Sequence, residues 1–128
     1  MTDIRVLVVD DHPMVRAALA ELLGDEDGVT VVGECSDGSE VLEATERLKP
    51  DIVCMDSSMP VMTGLDATEA LRAAGADVRV VMLSADASPP VVAAAGADAL
   101  VPKSVRANAL LGCLRALATR ATDCPYCL

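Results

Sequence analysis

Five short apolar runs alternate with helical stretches along the whole chain, and no other feature narrows the available folds as much. The runs are "IRVLVVD" (4–10), "VTVVGEC" (29–35), "DIVCMD" (51–56), "VRVVMLS" (78–84) and "ALVP" (99–102). They are rich in Val, Ile and Leu and read as buried strands. From Pro13 to Leu23, Met14, Ala17, Ala18 and Leu22 recur at helical spacing. Residues 36–49 open with turn and cap residues, continue as an amphipathic helix and stop at Pro50. Leu65 to Ala74 reads as a helix ending before Gly75, Pro89 to Ala95 as a short one, and Val105 to about Arg120 as a long last one.

Strands separated by helices imply a parallel sheet covered on both faces. Five such units in 128 residues suit an α/β, flavodoxin-like (βα)5 doubly wound sheet of strand order 2-1-3-4-5. The expected organisation is one domain over residues 1–120, followed by a flexible tail over 121–128.

In such sheets ligands bind outside the carboxyl ends of the strands, where the strand order reverses. The residues there are Asp10 and Asp11 after the first strand, Asp56 after the third, Ser84 after the fourth and Lys103 after the fifth. Three carboxylates crowded together repel, and a hard divalent cation resolves the conflict. Mg²⁺ takes oxygen ligands in an octahedral array. Lys103 adds a second positive charge and Ser84 a hydroxyl donor. A phosphoryl group on Asp56 would find its charge offset from several sides, which is most of what phosphoryl transfer asks of a protein. Asp56 therefore ends a buried strand as a nucleophile in a metal-lined pocket. His12 reads as a loop residue ahead of Pro13, and Met55, Met59, Met62 and Met82 as core and loop packing.

The motifs "VLVVDDHPMVR", "CMDSSMPVMTG", "LSA" and "AGADALVPKS", in this order, resemble the receiver domain of bacterial two-component response regulators. The resemblance spans roughly residues 3–120. "DDHP" followed by a hydrophobic residue and Arg is most similar to the NarL/LuxR-type branch, whose members usually carry a helix-turn-helix output domain. The resemblance implies that Asp56 is the phosphoacceptor, served by a sensor histidine kinase. It also implies that Asp11, Asp56 and the Ser58 carbonyl ligate Mg²⁺, with Asp10 acting through water. Ser84 and Lys103 would read the phosphoryl oxygens and couple them to a switch. Output would run through a homodimer or partner on the helix 4/strand 5/helix 5 face. Such a protein is a phosphoacceptor that assists its own phosphotransfer rather than an enzyme.

Four departures stand out. Thr63 replaces the usual acid before Gly64. Leu100 occupies the switch position three before the lysine, which often holds Tyr or Phe, so an aromatic switch cannot operate there. Pro102 restricts the fifth strand. The eighteen residues between Ser84 and Lys103 are about one helical turn short of the family norm, roughly three or four residues, and two of them are consecutive prolines. Helix 4 is thus expected to be shortened. A phosphorylation-independent interaction module using that altered face is the alternative. Dehalogenase-type phosphatase chemistry is disfavoured, because Ser58 stands where a second acid would follow Asp56.

A formal charge of −10 argues against direct nucleic-acid binding, which needs clustered Lys and Arg. Residues 1–102 carry 6 basic and 19 acidic side chains, and residues 103–128 carry 4 and 1. No apolar run approaches the ~20 residues of a membrane helix, and no signal peptide is apparent. Five cysteines without regular spacing do not make a secreted disulfide framework, so the expected location is cytoplasmic. Cys124-Pro125-Tyr126-Cys127 has C-x-x-C spacing but lacks the following helix that lowers a redox thiol's pKa. It supplies only two of the four ligands of a structural zinc. It reads as an incidental tail, with a weaker reading as a shared metal or thiol-disulfide site.

Overall fold

The strands at the centre of the computed structural model are those with no polar face. It describes residues 3–59, 61–85, 88–103, 107–119, 126 and 128. The strands are β1 (Ile4–Val9), β2 (Val29–Cys35), β3 (Ile52–Asp56), β4 (Arg79–Ser84) and β5 (Ala99–Pro102). They form one parallel sheet in the order β2-β1-β3-β4-β5. Every residue of β3, the middle strand, is buried.

Alternation along the strands divides the core in two. On one face Leu7, Val9, Val53, Met55 and Met82 meet α2 (Val41–Leu48), α3 (Gly64–Ala73) and α4 (Pro89–Ala95). On the other, Val6, Val8, Cys54, Val81 and Val101 meet α1 (Pro13–Gly24) and α5 (Ala107–Thr119). The flavodoxin-like order and the short seven-residue α4 agree with the sequence reading.

The structure adds detail at the element ends. The turn and cap residues that open the 36–49 segment form a 3-10 turn, Gly38–Glu40, and the chain turns α-helical at Val41. Asp37 causes this, because its side chain accepts from Ser39 N and caps the turn. At the other end of α2, Lys49 adopts a left-handed φ of 51°, and Arg5 Nη2 donates to the Leu48 carbonyl at 2.6 Å. That guanidinium satisfies a carbonyl left over by the helix end. Thr63, the departure from the family's acid, is the N-cap of α3, accepting from Asp66 N at 3.1 Å.

The expected start of the last helix, Val105 and Arg106, lies outside the described residues, as does most of the 121–128 tail expected to be flexible. Tyr126 and Leu128 are described, and both bond to the β5 side of the sheet. No helix among the described residues is long and apolar enough to cross a membrane.

Candidate functional site

β1 and β3 are hydrogen-bonded neighbours, so the acids that follow them emerge side by side. Asp10 is 2% exposed and Asp56 1%. Asp10, Asp11, His12 and Asp56 each place one ligating atom within 4.8 Å of the others. The site expected from the strand ends is therefore assembled in space, with His12 added to it.

The two oxygens of Asp56 have different surroundings. Oδ1 lies 3.1 Å from Lys103 Nζ and accepts from the Ser58 amide at 3.1 Å. Oδ2 is buried and has no hydrogen-bond partner. Asp11 Oδ1 is likewise buried without one, although His12 Nδ1 approaches it to 3.1 Å. The two atoms are close but not aligned for a hydrogen bond. Asp10 Oδ1 accepts from the His12 amide at 2.9 Å and lies 3.2 Å from its Nδ1. A buried Asp11 oxygen without a donor, beside the carboxylates of Asp10 and Asp56, is a donor set suited to a hard cation such as Mg²⁺.

The remaining expected residues fall around this centre. Lys103 reaches it because its amide donates to the Ser84 carbonyl at 3.1 Å, which continues the β4–β5 pairing past Pro102. Ser84 itself is buried at the end of β4. Ser58 is exposed and contributes its amide. Leu100 is half-buried against the α2–α4 side of the core, away from the carboxylates. A cavity of about 420 Å³ opens beside Asp10, His12 and Lys103, walled by Val15 and Leu19 of α1 and floored by Leu83 and Val101.

The cysteines within the strands are sealed off from this chemistry. Burial pushes the Cys54 thiol up to about 12, with Asp10 adding to the shift. Burial, followed by the nearby Glu40, pushes Cys35 up to about 11.

Nothing in the sequence pattern marks Asp37 as a supporting residue, yet it shapes the loop after Asp56. Its carboxylate accepts from Ser39 N at 2.9 Å, Val61 N at 3.2 Å and Met62 N at 3.2 Å. Gly38 follows, packed so closely that a Cβ there would strike the Met62 carbonyl oxygen. The loops after β2 and β3 are thereby locked together. The Ser39 amide, with Val61 and Met62 adding to it, holds the Asp37 carboxyl below its ordinary 3.8. A carboxyl with a depressed folded-state pKa adds stability above its unfolded pKa and loses it as the pH falls through the folded value. Asp37→Ala is expected to cost about 1–3 kcal/mol near neutral pH, and the gap from wild type should close in acid. Melting curves from about pH 7 down to about pH 3 check this, a window that spans the titration of an ordinary carboxyl. A gap that does not change with pH would assign the loss to packing rather than to the carboxylate.

A doubly wound sheet with an acidic pocket at its switch point, completed by a lysine from the last strand, is the arrangement expected of a receiver domain of signalling proteins. The sequence matches the response regulator receiver domain over residues 6–115, and the chain belongs to that family. It is 39% identical over 115 residues to the response regulator GacA of Pseudomonas protegens, covering 88% of this chain and 54% of that protein. It is 37% identical over 118 residues to the nitrate/nitrite response regulator NarP of Escherichia coli, covering 90% and 55%. A LuxR-family two-component response regulator from Aurantimonas superposes with a TM-score of 0.89 at 28% identity, covering 97% of this chain and 91% of that one. These relatives are NarL/LuxR-type regulators, and the chain spans about half the length of the two matched by sequence.

Proposed function

We propose that Asp56 accepts a phosphoryl group from a sensor histidine kinase in a Mg²⁺-dependent reaction. The observation that carries this is the asymmetry of the Asp56 carboxylate. Oδ1 is held by Lys103 and the Ser58 amide, which leaves the unpartnered Oδ2 to attack phosphorus. As the new P–O bond forms, the P–N bond to the kinase imidazole breaks and the imidazole nitrogen takes the electron pair. Lys103 offsets charge on the phosphoryl oxygens, and Ser84 donates to them from the end of β4. Asp11, Asp56 and the Ser58 carbonyl would hold the Mg²⁺, with Asp10 acting through water. Bound there, the ion supplies charge stabilisation for the transferring group.

The cavity beside Asp10, His12 and Lys103 leaves room for the donor side chain to approach from the α1 side. Residues 1–120 constitute the phosphoacceptor domain, working in the cytoplasm. The phosphorylated form signals through protein contacts on the α4/β5/α5 face, to a second copy or an output partner, with Leu100 filling volume where an aromatic switch would move.

Acetyl phosphate is expected to add one phosphoryl group by intact mass in Mg²⁺ and none in EDTA. Mg²⁺ alone should raise the melting temperature, by the equivalent of about 1.4 kcal/mol at roughly ten times its dissociation constant. Asp11→Ala should remove most of that gain. Equal labelling in EDTA, or identical melting with and without Mg²⁺, would defeat the assignment.

A further inference from the structure

β5 closes one side of the sheet, and its outer edge is the part of the molecule that the phosphoacceptor chemistry leaves unexplained. An edge strand presents unpaired backbone groups that can template pairing with another segment. On β5 these groups can be assigned. The Lys103 amide donates inward to the Ser84 carbonyl at the end of β4. With Lys103 facing inward, alternation turns Val101 inward as well, and Leu100 and Pro102 outward. Pro102 has no N–H, so Leu100 carries the outward-facing amide of β5.

That amide is taken. Leu100 N donates to the Tyr126 carbonyl at 3.0 Å, and Leu128 N donates to the Asp98 carbonyl at 2.9 Å. The partner numbers run in opposite directions, 98 with 128 and 100 with 126, which is antiparallel pairing. A side chain reinforces the backbone bonds. Tyr126, the sole aromatic residue of the chain, is half-buried against the core cluster shared by β5 and α5.

We propose that Tyr126 and Leu128, through the backbone bonds they make to Leu100 and Asp98, act as a strap that caps the outer edge of β5 in the same chain, occupying a docking site for one extended strand. An incoming strand must displace it to reach the Leu100 amide. The strap closes an edge that would otherwise invite pairing between chains, and its release makes the α4/β5/α5 side available to a β-strand partner.

Amide exchange read by NMR, under reducing conditions, tests the strap. The Leu100 amide should exchange at least about tenfold faster in a chain lacking residues 126–128 than in the full chain, as expected when a local hydrogen bond is opened to solvent. The inward-facing Val101 amide should be unchanged and serves as the control for global stability. A peptide spanning residues 121–128, added to the shortened chain, should restore protection at Leu100. Should the deletion unfold the chain, Leu128→Pro removes one strap donor and should accelerate Leu100 alone. Equal Leu100 exchange in the full and altered chains would overturn the proposal. Protection that rises with protein concentration would overturn the assignment to the same chain and place the strap on a neighbour.

Discussion

Asp56→Asn is expected to take no phosphoryl group from acetyl phosphate and yet to melt no lower than wild type in EDTA. The first half follows from chemistry, because a carboxamide oxygen is too poor a nucleophile to form the acyl phosphate. The second half follows from comparing two electrostatic terms. Asp56 is 1% exposed and within a few ångströms of Asp10 and Asp11. Removing its charge relieves repulsion and the cost of burying a carboxylate, a penalty of several kcal/mol per ion. The loss is one ion pair with Lys103, whose side chain is 41% exposed. Pairs that solvent can reach contribute about 0–1 kcal/mol. The Asn carbonyl oxygen can still accept from the Ser58 amide. Relief therefore outweighs loss, and the variant should also lose the Mg²⁺-dependent rise in melting temperature. Intact mass and paired thermal scans, with EDTA and with Mg²⁺, read all three effects. Undiminished labelling would remove Asp56 from its role, and a large fall in melting temperature in EDTA would mean that Lys103 and Asp56 are a structural pair.

The sheet order and the acid cluster are legible in the sequence because both depend on local pattern. β5 coincides with the run "ALVP", since Gly96 ends α4 with a left-handed φ of 103° and Pro102 faces the edge, where a missing N–H costs no pairing within the sheet. The acids can be placed because each directly follows a strand whose neighbours the topology dictates. Asp37 cannot be placed in this way. It looks like an ordinary turn residue, and two of its partners, the Val61 and Met62 amides, lie 24 and 25 residues away on another loop. The turn ahead of α2 takes its shape from the same contacts, because Asp37 and the close approach of Gly38 to Met62 fix residues 38–40. In the sequence His12 is only a loop residue ahead of Pro13. The N-cap position of α1 brings its Nδ1 to 3.2 Å from Asp10 and 3.1 Å from Asp11. The pairing of Tyr126 with Leu100 hides behind the C-x-x-C spacing around it, which draws attention to thiols rather than to backbone.

Gly64→Ala is expected to cause the largest loss of stability, and Gly112→Ala, an identical change of one methyl group, a small gain. Gly64 opens α3, and its amide donates to the Ser57 carbonyl at 3.2 Å. A Cβ at this position would strike the Asp56 carbonyl oxygen and lie 2.9 Å from Met82 Sδ and 3.0 Å from Ser57 Cα. Met82 is fully buried, and the other two atoms belong to the backbone that presents Asp56. None of them can swing aside as the end of an exposed side chain could. Relief requires α3 to lift from the sheet or the end of β3 to shift, and overpacking of this kind costs about 1–3 kcal/mol and occasionally more. Gly112 is exposed within α5, and a Cβ added there would meet nothing within 4 Å, so alanine gains helix propensity, up to about 1 kcal/mol. Urea denaturation should place the two variants on opposite sides of wild type with equal slopes. Gly64→Ala should also slow labelling by acetyl phosphate, because the atom it displaces belongs to Asp56 itself, whereas Gly112→Ala should label at the wild-type rate. A Gly64→Ala protein as stable as wild type would mean that the β3–α3 connection yields freely, and the rigid seat assigned to Asp56 would then be wrong.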